Sequence, residues 1–425
     1  MRSLVKLVLA TTCLALTGCG REAPVSMTHA SVLAKAGLES YWQMQLRLQE
    51  GETVEQIHLL DENLYCLTNT NYLVAVDAAK GLRKWVRKIA EPGTKVFAPC
   101  HGNRVALADT LPGVKAIVTP PPPETLKNKD LVLINTPDCV QAFDRKTGAL
   151  VRKIDFHRRP DEFTASTSGA CDGTYYYVGA TNGRCYAYFV NQGVIAWILR
   201  TNDTMTAAPR YHKPGETGRV FFAGEDGDFY VAQVGSLLTV VWPPAASRDW
   251  PAMAGPVTAD FHVDDRACFV PCSKRRVYAF SLAGGEPIWR FTCNGALLDA
   301  IQVSENTVFQ YARGDKLYAI NPANGKLRWA LGEGRRVLAS MPTDNVPLAY
   351  VLSGSSNLLV IDEILGKVQA SIPLTGCTLF ADNTTAPAIY VASADGHLHC
   401  LRPLGAGHLT TDILKKVKPK KKAGT

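Results

Sequence analysis

The sequence lacks the cysteine and acidic patterns that hold metals and redox cofactors. Its 425 residues include 12 cysteines, but no two are adjacent and none form a Cys-x-x-Cys unit. A zinc site is therefore not indicated. No acidic cluster has the spacing of a calcium-binding loop, and nothing selects a Ser/His/Asp or Cys/His catalytic set. We expect no metal, no cofactor and no catalytic residue.

A basic face is also absent from the body of the chain. The formal net charge is +8, and it falls to +6 without Arg2 and Lys6 of an N-terminal leader. Six lysines lie within residues 415–422, so the rest is close to neutral, which excludes a nucleic-acid-binding domain with a basic face. Residues 404–425 are predicted to be a disordered basic tail, with attraction to anionic lipid as the functional alternative.

One sequence motif occurs eight times along the chain. Its clearest copy, LYAINPANGKLRW at residues 317–329, indicates a hairpin in which a strand leads through an Asn-Gly turn to a tryptophan. A small residue precedes the tryptophan by ten positions in five copies, and three copies lack the tryptophan. The small positions are 75, 142, 187, 232, 279, 319, 360 and 400.

A period of about 40 to 45 residues with strand-like alternation is typical of a β-propeller. We predict an all-β fold of eight four-stranded antiparallel blades over residues 41–403. The last blade is one strand short, and a strand at residues 41–46 is expected to complete it as its outer edge, closing the ring. A β-sandwich or several small β domains are the alternative, but neither explains eight copies in register.

The N-terminus has the pattern of an export signal. Arg2 and Lys6 precede an apolar run at residues 7–16, which is too short to span a bilayer and is typical of a secretory leader. The following Leu-Thr-Gly-Cys resembles the lipobox of bacterial lipoproteins. We expect a signal peptide at 1–18, a lipid anchor on Cys19 and a tether at 19–40. The alternative is an ordinary signal peptide with a chance cysteine.

The other cysteines beyond Cys13 are expected to be mostly buried small hydrophobic residues. Cys100 and Cys171 hold equivalent positions in adjacent blades, where the radial arrangement is expected to separate them. Cys268 and Cys272 lie four apart on one strand, about 13 Å from each other, which exceeds the reach of a disulfide.

One gap between repeats, of 67 residues, is 22 longer than the usual 45. The excess falls at residues 110–130 and contains four consecutive prolines, which favour a stiff, extended segment. We interpret it as a candidate partner-binding arm, with a tolerated surface insertion as the alternative. Polar loops at 157–163 and 211–219 are further exposed candidates. The candidate binding residues in the arm are Leu111, Val114, Ile117, Val118, Pro120, Pro121, Pro122 and Pro123.

The repeated motif resembles the repeat of pyrroloquinoline-quinone dehydrogenases and of the BamB family, propeller lipoproteins of the outer-membrane β-barrel assembly machinery. The resemblance covers about residues 41–403 and implies an eight-bladed propeller in which the recurrent tryptophan docks one blade on the next. Arg152 and Ala370 replace it in blades two and seven, where looser joints are expected. By position, the docking role falls to Trp85, Trp197, Trp242, Trp289 and Trp329.

Fold alone does not give function. The resemblance implies that the quinone-dependent dehydrogenases have adjacent cysteines beside their cofactor, a bound calcium and a longer chain. This sequence has none of these features. The lipobox and modest length favour a BamB-like, non-enzymatic scaffold. Such a protein is a monomeric propeller within a complex, anchored by lipid on the periplasmic side of the outer membrane, where it binds the barrel-forming subunit. The alternatives are an envelope interaction propeller with an unknown partner and a quinone-dependent dehydrogenase.

Overall fold

Eight four-stranded antiparallel sheets, arranged as the blades of a propeller, make up the computed structural model, which confirms the predicted fold class. The structure describes residues 29–108, 126–157, 162–213, 216–242, 255–341 and 346–415. The leader with Cys19 therefore lies outside the described residues, as do residues 416–425. In the described ranges, no helix has the length and apolar character needed to cross a membrane.

The blades follow chain order, and each begins with its innermost strand. Blade 1 holds β2 (Val54–Leu60), β3 (Asn63–Thr68), β4 (Tyr72–Asp77) and β5 (Leu82–Lys88); blade 2 holds β6 (Cys100–Ala108), β7 (Leu126–Asn135), β8 (Cys139–Asp144) and β9 (Leu150–Asp155); blade 3 holds β10 (Ala170–Cys171), β11 (Tyr175–Gly179), β12 (Arg184–Phe189) and β13 (Val194–Arg200); blade 4 holds β14 (Arg210–His212), β15 (Arg219–Ala223), β16 (Phe229–Gln233) and β17 (Thr239–Trp242). Blade 5 holds β18 (His262–Val263), β19 (Cys268–Cys272), β20 (Arg276–Phe280) and β21 (Pro287–Thr292); blade 6 holds β22 (Gln302–Val303), β23 (Val308–Tyr311), β24 (Leu317–Ile320) and β25 (Leu327–Leu331); blade 7 holds β26 (Gly334–Met341), β27 (Leu348–Ser353), β28 (Asn357–Asp362) and β29 (Val368–Pro373); blade 8 holds β30 (Leu379–Phe380), β31 (Ile389–Ala392), β32 (His397–Pro403) and, at its outer edge, β1 (Leu38–Gln45).

The N-terminal strand closes the ring as predicted. β1 pairs antiparallel with β32 and forms the outer edge of blade 8, beginning three residues earlier than the sequence indicated. Within it, Trp42 lies opposite Cys400, which is the small position of the eighth repeat. The eighth blade therefore obtains its tryptophan from the other end of the chain, a position that the repeat search missed because it followed only local spacing.

The chain segments next to the ring are more ordered than predicted. A helix α1 (Ala30–Lys35) with buried Leu33 lies in the expected tether. A helix α2 (Thr411–Leu414) lies in the expected disordered tail, capped by the Thr410 side chain. The prediction of disorder was therefore wrong for residues 404–415, because Leu409 and Leu414 are buried against the propeller. The tether role of residues 19–40 stays a prediction.

Four joints between blades share one arrangement of tryptophan and glycine. The indole N–H of Trp42, Trp85, Trp289 or Trp329 donates to the carbonyl three residues after the small position of the next blade, over 2.8 to 3.1 Å. A turn glycine with positive φ lies under each ring, and a Cβ there would overlap the indole. Glycine is thus required both by the backbone conformation and by the ring. The paired glycines are Gly81, Gly148, Gly325 and Gly366.

The fourth blade departs from the predicted spacing. The tryptophan of other copies lies opposite the small residue, as Trp329 lies opposite Ala319, but Trp242 lies opposite Val231, and Ala232 pairs with Val240. The prediction that Ala232 is the small position was wrong by one residue. The loop between the paired Gln233 and Thr239 is one residue longer than the loop between Phe189 and Val194 of blade 3. Trp242 nevertheless lies in the layer between blades 4 and 5.

The joint between blades 2 and 3 has a polar link in place of tryptophan. Arg152 lies opposite the small residue Ala142, and its guanidinium donates a hydrogen bond to the carbonyl of Asn191 in blade 3. The joint therefore keeps a cross-blade hydrogen bond, although it lacks the apolar area of an indole ring.

Candidate functional site

The hairpin β6–β7 in blade 2 is the main departure from the regular ring. These strands contain nine and ten residues, whereas the innermost strands of blades 3 to 6 contain two or three. The predicted arm lies between them. Residues 109–125, which include every candidate binding residue from Leu111 to Pro123, lie outside the described residues, and residues 126–130 belong to β7 rather than to an irregular insertion.

A buried arginine holds the base of this hairpin. The Arg145 side chain is 4% exposed and forms ion pairs with Asp61, Glu62 and Asp130 at N–O distances of 3.2, 3.1 and 3.0 Å. Its Nη1 also donates to Oδ1 of Asn103 over 2.8 Å. Asp61 and Glu62 form the first turn of blade 1, while Asn103 and Asp130 belong to the hairpin. We call Arg145 with its three carboxylates the Arg145 clamp.

The backbone at the hairpin base is also fixed by the clamp. Arg104 has a φ of 53°, an unusual conformation for a residue other than glycine, and its N–H donates to Asp130 over 2.9 Å. Burial raises the pKa of Asp130, but the Arg104 hydrogen bond and the Arg145 charge outweigh it and bring this pKa below its ordinary value. Asp130 therefore stays ionised and orients both the turn and the guanidinium.

The carboxylates of blade 1 connect the clamp to two further groups. Burial raises the pKa of Asp61, and the adjacent His101 and Arg145 lower it to a net value below the ordinary one. His101 Nδ1 lies 2.8 Å from Asp61, and its Nε2 lies 2.9 Å from the Tyr65 hydroxyl. Lys415 lies 3.3 Å from Glu62. The clamp thus joins blade 1, the hairpin and the C-terminal segment at one place.

The central channel contains a polar cavity of about 540 Å³. Arg210 pairs with Asp260 at 2.9 Å, and Arg336 pairs with Asp382 at 2.6 Å. Burial lowers the pKa of His58 to about 4, so its ring is neutral at physiological pH. In the part of the chain that the structure describes, no three His, Cys, Asp or Glu side chains are placed to hold a metal ion. The channel wall therefore carries paired positive and negative side chains, with which a polar ligand could interact.

The sequence-predicted tryptophans lie in the joints between blades, and Trp85 also contacts the clamp, because its indole donates to the carbonyl of Arg145. Each has at most 9% exposure, and Trp197 donates to the carbonyl of Gly235 in the next blade over 3.1 Å. Their docking role stays a prediction until one of them is replaced. Sequence reasoning missed the Arg145 clamp, because its residues occupy turn positions that vary between repeats.

Comparisons with known proteins find similarity to other proteins of the same repeat and fold. A model of the family described as outer membrane protein assembly factor BamB matches residues 239–400. The crystal structure of BamB from Moraxella catarrhalis superposes with a TM-score of 0.60 at 14% identity, covering 88% of this chain and 99% of that one. The computationally designed Ika8 protein superposes with a TM-score of 0.58 at 11% identity, covering 84% and 98%.

These similarities confirm the resemblance to the BamB and quinoprotein repeat at the level of repeat and fold. Identities this low show the fold alone. A search of curated protein sequences finds no significant match.

Proposed function

We propose that this protein is a non-enzymatic, lipid-anchored scaffold of the bacterial cell envelope that binds protein partners, in the manner of BamB, during assembly of outer-membrane β-barrel proteins. The observation that carries the proposal is the lengthened hairpin β6–β7, whose base is fixed by the buried Arg145 clamp. A fixed base holds the described strands β6 and β7 in a defined position on the ring, which lowers the entropic cost of binding a partner at this hairpin.

The clamp supports a binding role more than a role in folding alone. All eight layers between blades are apolar, including the two that flank blade 2, and buried charges seldom add stability over apolar packing. A buried arginine with three carboxylates at the foot of the longest hairpin is therefore better explained by the need to orient that hairpin. The expected partner is the barrel-forming subunit of the assembly machinery.

Replacing residues 109–125 with a short Gly/Ser turn is expected to keep the melting temperature within a few degrees and to lower partner recovery. The ring can fold without the arm, because β6 and β7 pair below it from Cys100 to Ala108. Partner recovery is measured by crosslinking in the native envelope, followed by identification of the bound protein. Since binding energy concentrates in a few residues, single alanines at Leu111, Val114, Ile117 or Val118 are expected to reproduce part of the loss.

A matched control replaces residues 264–266, the equivalent turn of blade 5 between β18 and β19, with the same Gly/Ser turn. This control is expected to recover the partner at the wild-type level. Undiminished crosslinking of the barrel-forming subunit by the protein without its arm would refute the arm as the binding site, and the loops at 157–163 and 211–219 would then be tested.

Cys19→Ser is expected to release the protein from the membrane fraction or to leave it unprocessed, because the thiol that accepts the lipid is lost. Fractionation and the mass of the mature N-terminus measure both outcomes. Cys13→Ser, within the leader, is the control and is expected to mature normally. Full membrane retention and normal processing of the Cys19 variant would contradict lipid anchoring.

A further inference from the structure

Two cysteines from adjacent blades point into one apolar layer. Cys100 on β6 pairs with Leu133, and Cys171 on β10 pairs with Tyr176. Leu133 and Tyr176 are both buried in the layer between blades 2 and 3. Directly paired residues of an antiparallel sheet have their side chains on the same face. The two thiols therefore enter this layer from opposite sides.

A glycine brings the second thiol close to β6. Gly102 lies two residues after Cys100 and therefore faces the same layer, and Sγ of Cys171 lies 2.9 Å from the place where a Cβ of Gly102 would be. The Cys171 thiol thus fills the space that a side chain on β6 would occupy. The expectation that the radial arrangement separates these cysteines was wrong, because Cys171 points back toward blade 2.

These two residues also differ from the other cysteines in the exposure of the whole residue. Of the ten cysteines in the described ranges, Cys100 and Cys171 are partly exposed, and the remaining eight are buried. Cys100 lines the cavity of the central channel. The joint that the two cysteines share is the one where Arg152 replaces the docking tryptophan.

We propose that Cys100 and Cys171 form a disulfide that ties blade 2 to blade 3 when the chain folds under oxidising conditions. The two thiols lose two protons and two electrons as the S–S bond forms, and these reduce the disulfide of an oxidant such as glutathione disulfide to two thiols. The link supplies a covalent tie at the joint that lacks an indole ring. Its occurrence in cells rests on the proposed envelope location, whereas its formation by the isolated chain does not.

The chemistry dictates that the link forms during folding. Burial raises the pKa of the Cys100 thiol to about 12, and burial together with the neighbouring Cys100 raises the pKa of Cys171 well above its usual range. The thiolate is the attacking species in disulfide exchange, so the folded, reduced protein is expected to react slowly. The test therefore starts from the unfolded, reduced chain.

The experiment refolds the chain with a mixture of glutathione and glutathione disulfide, blocks free thiols and digests with trypsin without reduction. Mass spectrometry is expected to find peptide 96–104 linked to peptide 159–184, each of which contains one cysteine. Reduction is expected to lower the melting temperature of the linked protein by several degrees. Blocked thiols at both positions after refolding would overturn the proposal.

Variants make the assignment specific. Cys100→Ser and Cys171→Ser are each expected to abolish the difference in melting temperature between oxidised and reduced protein. Cys377→Ser, in the layer between blades 7 and 8, is the control and is expected to keep it. An unchanged difference in the Cys100 and Cys171 variants would overturn the proposal. A link that forms in vitro but is absent from protein isolated from cells would uphold the pairing and contradict the envelope location.

Discussion

Trp329→Ala is expected to lower the free energy of unfolding by about 3 to 5 kcal/mol, the usual cost of removing a large buried aromatic side chain. Trp329 is 9% exposed and packs in the layer between blades 6 and 7 with Phe309, at a ring distance of 5.9 Å. Its indole also donates to the carbonyl of Glu363 over 2.8 Å. Alanine would leave a cavity and remove the hydrogen bond that crosses the joint.

Denaturant unfolding of the purified protein measures this loss. Trp329→Phe is expected to recover most of the packing while losing the hydrogen bond, so its cost falls between those of the wild type and the alanine variant. Leu327→Ala is the matched control, because Leu327 lies on the same strand with half of its surface exposed. A loss for Trp329→Ala no greater than for Leu327→Ala would mean that the ring does not dock the blades.

The glycine beneath the ring explains why the repeat was visible in the sequence. Gly366 has a φ of 73° and lies against Trp329 of the preceding blade, so both residues of this joint are fixed by one geometry. The four joints that share this geometry therefore have a tryptophan and a glycine at the same positions of the repeat. Blade number, strand number and ring closure follow from such local repetition, which is why they could be predicted.

Features that depend on residues distant in sequence could not be predicted in this way. Trp42 lies opposite Cys400 in the eighth blade, although 358 positions separate the two residues in the sequence. No local spacing indicates that pairing. At Trp242 the spacing itself was misleading, because a loop that is one residue longer places Trp242 opposite Val231 instead of Ala232. Asp61 and Arg145 are 84 residues apart, and nothing in either turn shows that the other faces it.

Arg145→Met is expected to lower the free energy of unfolding by about 3 kcal/mol at pH 7, because three carboxylates lose their shared cation. The value lies at the lower end for a buried ion pair, since the Asp130 side chain is 47% exposed and water screens part of its charge. Arg313→Met is the control. Arg313 pairs with Asp299 at 2.8 Å, but its side chain is 55% exposed, and a loss much smaller than that of Arg145→Met is expected, because water screens an exposed ion pair.

The pH dependence separates the clamp from simple packing. Asp61 and Asp130 have pKa values below the ordinary 3.8 in the folded protein. Their contribution to stability is therefore complete above that value and is lost as the pH falls through the lower folded values. Burial lowers the pKa of His101, and the Arg145 charge lowers it further, so in Arg145→Met this histidine takes up a proton more readily and replaces part of the lost positive charge. The stability difference between wild type and Arg145→Met is therefore expected to be largest at pH 7 and to shrink on acidification, most steeply below about pH 4.

The same variant tests whether the clamp orients the arm. If it does, Arg145→Met lowers crosslinking to the barrel-forming subunit at a temperature where the protein is still fully folded, whereas Arg313→Met does not. Normal crosslinking by folded Arg145→Met, together with a stability loss that persists below pH 4, would contradict this prediction. It would mean that the clamp packs the ring and does not orient the arm.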